Sequence, residues 1–210
     1  MSITTQCLLV NLQIGMWNGQ RLDKEASRKV TREANAETDA ASVNKHTIPK
    51  TALADIQTAA SAIRTHFYNA TLPWKDNGDR VLSRQMYFPF LEAHRGLLAQ
   101  FERQVSEFID TRYPAAVEQA SFRMGELFKA QDYPSAEALR RRFYVTLDVD
   151  AVTEAADFRV DMDATHVDAI RAQMTAALEQ RMGRAMQDVW SRLMDAVSHF
   201  AAKMEPGEVF

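Results

Sequence analysis

Cysteine is almost missing from this chain, since Cys7 is the only one among 210 residues. A single cysteine excludes a disulfide within the chain, and the cysteine and histidine positions have no structural-zinc spacing. No apolar run approaches the ~20 residues that a membrane-spanning helix needs. The first residues lack the basic leader and cleavage site of a signal peptide. We therefore expect a protein of the reducing cytoplasm, neither exported nor embedded in a membrane.

The motifs of common nucleotide-binding and hydrolytic enzymes are also missing. The chain contains no G-x-x-x-x-G-K-[ST], G-x-G-x-x-G, G-x-S-x-G or H-E-x-x-H. Its five histidines have no ligand spacing, and His94 lies on an apolar face where a core or boundary histidine is expected. These absences predict a protein that is not an enzyme and needs no cofactor.

Charge is low overall but unevenly divided. The net charge is -3, with 12 basic and 9 acidic side chains in residues 1–100 against 13 and 19 in residues 101–210. This asymmetry permits contact with an anionic partner through the N-terminal half. It is much weaker than the basic surface of a typical nucleic-acid-binding protein.

Hydrophobic periodicity predicts a single α+β domain over residues 1–210 that is mostly helical. Alternation at residues 6–17, 143–150 and 158–163 predicts a small three-stranded antiparallel sheet, in which the last two segments form a hairpin. Helical spacing predicts a body of long antiparallel helices over about 51–142 and 163–204. Asp23 is placed to be the N-cap of an exposed helix, and a polar connector follows at residues 39–50.

The most regular pattern is a stripe of eleven apolar residues on the C-terminal helix, which advances 37 residues in ten steps, a mean of 3.7. Its members are Val167, Ile170, Met174, Leu178, Met182, Met186, Val189, Leu193, Val197, Phe200 and Met204. A spacing near 3.6 keeps them on one side of a nearly straight helix. Methionine can serve an adaptable binding groove, but alternation with valine and leucine favours core packing here. We expect the stripe to pack in the core, with the helix at residues 84–111 as its partner.

Two polar sets are candidates for binding. The first mixes basic and aromatic side chains that could contact phosphates and stack on bases; its members are Arg64, Tyr68, Trp74, Lys75, Arg80 and Arg84, with Arg140, Arg141 and Arg142 as an extension. The second is acidic and could bind Mg²⁺ or Ca²⁺; it comprises Asp148, Asp150, Asp161 and Asp163. Ordinary solvated charges are the alternative for both, and no glycine or glutamate completes a calcium loop in the second.

Three passages resemble an uncharacterised family of tailed-phage and prophage proteins. They are LLVNLQIGMWNGQRLDK at the start, TLPWKDNGDRVL in the middle and DAVSHFAAKM near the end. The resemblance implies a phage product that acts in the cytoplasm of the bacterial host. It also implies a protein partner, with MoxR-type AAA ATPases as one candidate because they are encoded near some members. No residue roles can be carried over.

Three functions follow as hypotheses. The first is a non-enzymatic interaction protein that binds a host or phage protein complex, as an adaptor or as an inhibitor of host defence. The second is a nucleic-acid-binding accessory of phage DNA metabolism that uses the basic and aromatic set. The third is a metal-dependent enzyme built on the acidic set. The sequence leaves the oligomeric state open.

Overall fold

The computed structural model describes residues 3–76, 78–157 and 164–204. Contacts within the chain divide it into two compact units. The first unit comprises residues 1–12, 64–94 and 146–210, and the second comprises residues 13–63 and 95–145. The predicted α+β class, mostly helical with antiparallel strands, is confirmed. The single domain stays a prediction.

Helices and strands alternate irregularly along the chain. The helices are α1 (Ile3–Gln6), α2 (Lys24–Glu33), α3 (Ala54–Ala70), α4 (Tyr87–Glu107), α5 (Tyr113–Glu118), α6 (Ala120–Met124), α7 (Ala136–Arg140) and α8 (Ala164–Met204). The strands are β1 (Cys7–Gly15), β2 (Gln20–Asp23), β3 (Val43–His46), β4 (Leu72–Pro73), β5 (Arg80–Ser83) and β6 (Tyr144–Ala151). A π-helical turn over Phe108–Arg112 continues α4. No described helix combines the length and hydropathy of a membrane span.

The first unit is built on a four-stranded sheet with strand order β4-β5-β1-β6. β1 pairs with β5 antiparallel, with Leu9 opposite Val81, and β4 pairs with β5 antiparallel, with Leu72 opposite Val81. The prediction that β1 and β6 belong to one sheet is confirmed, and the two strands are neighbours. The strand predicted at 158–163 lies outside the described residues. The prediction of three strands missed β4 and β5, which lie within the stretch predicted to be helical. These two strands form a hairpin, in which Trp74 and Lys75 both donate backbone hydrogen bonds to the Asp79 carbonyl.

The two faces of this sheet pack against different helices. On one face, Val10 and Leu82 pack with Phe67 of α3 and Phe90 of α4. On the other face, Val81 packs with Trp74 and Val152, and Leu178 of α8 adds to that cluster. Alternate residues of a strand point to opposite faces, so neighbours such as Val81 and Leu82 serve the two clusters separately.

The second unit contains a two-stranded antiparallel sheet that the sequence pattern did not predict. β2 pairs with β3, with Arg21 opposite Lys45 and Asp23 opposite Val43. The predicted polar connector at 39–50 therefore includes a strand, which is a correction. The predicted N-cap is confirmed, because Asp23 Oδ1 accepts hydrogen bonds from the backbone amides of Glu25 and Ala26 at 3.1 and 3.0 Å.

Aromatic side chains form much of the core of the second unit. The Phe108 ring is fully buried and lies 6.4 Å from Trp17, 5.8 Å from Tyr113 and 6.1 Å from Phe143, measured between centroids. Tyr113 donates a hydrogen bond from its hydroxyl to the Pro134 carbonyl at 2.8 Å. Burial raises the pKa of Tyr113 to about 12, so the hydroxyl remains a donor at neutral pH.

The long helices agree closely with the sequence pattern. The helical body predicted from about residue 51 begins with α3, and the helix predicted at 84–111 is α4 with the π-helical turn that follows it. Pro89 is the third residue of α4, where a missing amide hydrogen costs nothing. The C-terminal helix predicted at 163–204 is α8, with 41 residues.

Candidate interaction surface

One face of α8 packs on the rest of the first unit. Its residues recur at helical spacing, with Ile170, Met174 and Leu178 partly buried and Ala185 fully buried. The main partners of α8 are β4 and the turn Ala155–Asp157. The prediction that α4 is the partner of this helix was therefore wrong, because the Trp74 cluster of the sheet takes that place.

The packed face becomes polar after Ala185. Arg192 donates hydrogen bonds to the backbone carbonyls of Tyr68 at 3.1 Å, Asn69 at 3.2 Å and Thr71 at 3.0 Å. The last carbonyls of a helix have no partner within it, so the Arg192 guanidinium caps the C-terminal end of α3. Asp188 pairs with Arg192 Nε at 2.7 Å and orients it.

The C-terminal half of α8 carries a second face, which we call the outer face and which is apolar and exposed. Its nine large side chains have exposures from 38 to 68%. They are Met182, Met186, Val189, Trp190, Leu193, Met194, Val197, Phe200 and Met204. The prediction that the whole stripe packs in the core was therefore wrong beyond Leu178. Beyond Leu178, the residues of α8 that contact the rest of the unit include Ala185 and Arg192. Arg192 lies on this side because it donates hydrogen bonds to carbonyls at the end of α3.

Four members of the predicted basic and aromatic set lie on or directly beside β4 and β5; they are Trp74, Lys75, Arg80 and Arg84. Trp74 is buried at 2% exposure in the sheet core, so its ring is not available for stacking on a base. Arg80 donates from Nε to Thr71 Oγ1 at 2.7 Å and from Nη2 to the Thr71 carbonyl at 2.8 Å. Its guanidinium also lies 4.8 Å from the centre of the Tyr68 ring.

The remaining cations of that set are more accessible. Lys75 is exposed and pairs with Asp79 at 2.9 Å, Arg84 is exposed, and Arg64 is half-buried. In the second unit, Arg140 to Arg142 are exposed, and Arg140 pairs with Asp110 at 2.5 Å while Arg141 pairs with Glu137. Nucleic-acid binding by these residues stays a prediction. Trp74 is buried in the sheet core, and Arg80 is hydrogen-bonded to Thr71.

The acidic set is only partly described. Asp148 and Asp150 are exposed on β6, whereas Asp161 and Asp163 lie outside the described residues. Among residues 3–76, 78–157 and 164–204, no three histidine, cysteine or acidic side chains are arranged to hold a metal ion. Metal binding by the acidic set stays a prediction, because it also involves Asp161 and Asp163.

A buried charge cluster in the second unit was not predicted from the sequence. Lys45 Nζ lies 3.1 Å from Asp23 Oδ2 and 2.5 Å from Asp132 Oδ2, and it donates to the Leu127 carbonyl at 2.9 Å. The three charged side chains are 4 to 7% exposed. They line one side of a cavity of about 540 Å³ that Arg21 and Lys129 also border. The cluster thus joins β2 and β3 to residues 127–132.

Two potential nucleophiles are held in protonated form. Burial lowers the pKa of Lys45, but its hydrogen bonds to Asp132 and Asp23 outweigh that effect and leave the pKa raised. In the first unit, burial raises the pKa of the Cys7 thiol. Nucleophilic lysine and cysteine need lowered pKa values. Neither group is therefore activated, and we interpret the Lys45 cluster as structural.

His94 is a buried histidine beside a second ring of the same kind. It is 5% exposed, its ring lies 6.4 Å from that of His66, and its Nδ1 makes no hydrogen bond to any described residue. Burial, with a smaller contribution from the nearby His66, lowers its pKa. The predicted core position is confirmed, but the side chain is only partly satisfied.

Acidification should therefore weaken the fold through His94. The unfolded chain has the ordinary histidine pKa of about 6.5, so it binds a proton before the folded chain does. The stability from neutral His94 is present above that pH and is lost as the pH falls toward the folded pKa. We expect the unfolding free energy to fall as the pH is lowered below about 6.5, by at most ~1.4 kcal/mol per pH unit. Urea unfolding at a series of pH values measures this slope.

The His94→Phe variant tests the assignment of that slope. It should flatten the pH dependence, because phenylalanine fills the site without titrating. His199→Phe, at an exposed position of α8, is the control and should retain the slope of the unmodified chain. An equal slope in the His94→Phe variant would show that another group is responsible.

The outer face is the feature that sequence reasoning missed, although it left signals. Trp190 and Met194 stand beside the apolar stripe and broaden it to more than a core-facing helix needs. Asp188 and Arg192 fall on the side that the packed residues Leu178 and Ala185 define. Two charged residues on the same side of the helix as the packed residues indicate that the apolar stripe of the C-terminal half lies on a different side from the packed face.

Comparison of the chain with protein-family models, curated proteins and solved structures gave no match.

Proposed function

We propose that this chain is a non-enzymatic interaction protein that binds another protein through the outer face of α8. The observation that carries the proposal is the exposure of nine large apolar side chains on one side of a single helix. Soluble proteins seldom expose a contiguous apolar patch larger than a few hundred Å², and larger patches usually mark binding surfaces. The resemblance to phage proteins supports a role in the bacterial host, with a host or phage complex as the target.

The chemistry of the outer face favours a protein helix as its partner. The face contains tryptophan, phenylalanine and four methionines, which are enriched in protein interfaces, and it contains no charged residue. Nucleic-acid binding depends on phosphate contacts from cations, which this face does not offer. The spacing of its residues matches an amphipathic helix that lies along a second helix or in a groove.

Capture from phage-infected bacterial lysate tests the proposal. The tagged chain should retain a defined set of proteins, and Leu193→Glu should lose that set because it places a carboxylate in the centre of the apolar face. Ser191→Glu adds the same charge two residues away, on the opposite side of α8. This control should retain the set. Mass spectrometry of the retained proteins is the measurement.

Two results would contradict the proposal. One is that no specific protein is retained by the unmodified chain. The other is that Leu193→Glu and Ser191→Glu retain the same proteins equally well, which would place the binding surface elsewhere. A MoxR-type AAA ATPase among the retained proteins would agree with the partner that the resemblance implies.

A further inference from the structure

We infer that the outer face of α8 binds a second copy of this chain, with the two helices antiparallel and a two-fold axis at Leu193. The inference rests on the proposed function, because it takes the outer face as a protein-binding surface and names its occupant. Three independent features support it: the order of the residues along the face, the area that they expose, and the position of the rest of the first unit on α8.

The row of residues along the outer face reads the same in both directions. Seven of its members are separated by steps of 4, 3, 4, 4, 3 and 4 residues; they are Met182, Met186, Val189, Leu193, Val197, Phe200 and Met204. An antiparallel copy centred on Leu193 therefore meets the face in register. A helix that binds an unrelated groove has no need of this symmetry.

The residues that meet in this arrangement are also alike. Met182 lies opposite Met204 of the second copy, Val189 lies opposite Val197, and Leu193 lies opposite Leu193. Met186 lies opposite Phe200, a pairing of a flexible thioether with an aromatic ring that is favourable in itself. A two-fold interface requires self-complementarity of this kind, because each patch must contact an identical patch.

The spacing also suits direct helix pairing. Met182, Leu193 and Met204 are eleven residues apart, so the row advances three turns every eleven residues. An eleven-residue repeat averages 3.67 residues per turn, close to that of an undistorted helix. Two such helices stay in contact over 23 residues, about 33 Å, with little supercoiling.

The exposed area is sufficient for a stable dimer. The nine side chains of the outer face together expose roughly 1000 Å² per chain, taking residue areas on the order of 200 Å². Each partner in a standard protein interface buries about 800 Å². Pairing of this face alone therefore reaches the size of a specific interface.

The antiparallel direction follows from the position of the first unit's other elements along α8. The packed residues run from Ile170 to Arg192, so the body of the first unit lies along the earlier part of the helix. Parallel pairing would bring the two bodies side by side around the same turns. Antiparallel pairing places them at opposite ends of the paired segment, and it also opposes the two helix dipoles favourably.

Sedimentation velocity of the full chain over a concentration series tests the assembly. We expect a species of twice the 23.8 kDa chain mass. Leu193→Glu should weaken the dimer by about 100-fold or more, because two carboxylates meet at the axis in an apolar setting. Ser191→Glu should leave the dimer unchanged. A monomer at every concentration up to ~100 μM, or equal dimerisation of both variants, would overturn the inference.

Cysteine cross-linking in a Cys7→Ser background tests the direction. A mixture of Val189→Cys and Val197→Cys chains should form a disulfide between the two kinds of chain under mild oxidation, whereas either kind alone should not. In the antiparallel register, Val189 is displaced from Val189 of the second copy by eight residues, about 12 Å along the axis. Disulfides need Cα atoms within about 7 Å. Disulfides formed by Val189→Cys chains alone would indicate a parallel pair and overturn the two-fold axis at Leu193.

The two proposals fail in different ways. A monomeric chain whose capture of other proteins still depends on Leu193 would reject the second copy and retain the proposed function. A dimer that retains no other protein would support the second copy and reject binding of a host or phage complex.

Discussion

Replacement of Lys45 by methionine should destabilise the protein by about 3–5 kcal/mol, the usual cost of removing one partner from a buried ion pair. Methionine has a similar length, so the main change is the loss of the charge. Asp23 and Asp132, which each approach Lys45 within 3.1 Å, would lose their buried cation, and Asp132 would keep only the longer ion pair with the exposed Arg21 at 3.6 Å. Urea unfolding followed by circular dichroism at pH 7 measures the loss.

The matched control for Lys45→Met is Lys29→Met. Lys29 pairs with Glu33 at 4.0 Å, but both side chains are mostly exposed, and such pairs contribute less than about 1 kcal/mol. Asp132→Asn added to Lys45→Met should recover part of the loss, since it removes one carboxylate that has lost its nearest cation. Equal stability of the Lys45→Met and Lys29→Met variants would show that the cluster is not important to folding.

The same cluster makes the stability of the fold depend on pH in the acidic range. Hydrogen bonds from the Ala26 amide and from Lys45 lower the pKa of Asp23, so the folded chain keeps this carboxylate ionised more strongly than the unfolded chain does. Its contribution to stability is present above the ordinary carboxylate pKa of about 3.9 and is lost as the pH falls through the folded value.

Phe108→Ala should cost about 3–5 kcal/mol through the cavity that it leaves. The ring is fully buried and touches three other aromatic side chains of the second unit, Trp17, Tyr113 and Phe143. These neighbours are held by their own backbone segments and cannot all move in to fill the space. The unfolding free energy in urea is the measurement.

Phe122→Ala makes the same chemical change at an exposed position and is the control for Phe108→Ala. The Phe122 side chain is 91% exposed, so its truncation should change stability by less than about 0.5 kcal/mol. The prediction would be wrong if both variants unfolded at the same urea concentration. Because the two substitutions remove the same atoms, their difference isolates the effect of burial.

The sequence predicted what depends on neighbouring residues. Asp23 is followed by a run of helix-forming residues, so its role as N-cap could be read directly. The regular spacing of Leu53, Ile56 and Ile63 likewise placed α3. In α8, uninterrupted spacing over 37 residues predicted a helix of nearly the observed length.

The sequence could not show what depends on distant partners. β3 contains asparagine, lysine and histidine and has no alternating pattern, because Lys45 is buried through its charge partners rather than through apolar contacts. Trp74 resembles an exposed turn residue until Leu178, about a hundred positions later, packs in its cluster. The inward position of Arg192 depends on the carbonyls at the end of α3, which no local pattern reveals.

The last three turns of α8 have a thermodynamic consequence of their own. Every residue from Leu193 to Met204 is exposed, so burial against the other described residues contributes little to the stability of this segment. Helical segments of about 12–15 residues are marginal in water without tertiary packing, so the end of α8 should fray more readily than its packed part. Under the proposed function, helical order there would be coupled to binding at the outer face, and part of the binding free energy would offset the conformational entropy that these residues lose. Affinity at this surface should then respond to helix propensity at positions that touch no partner.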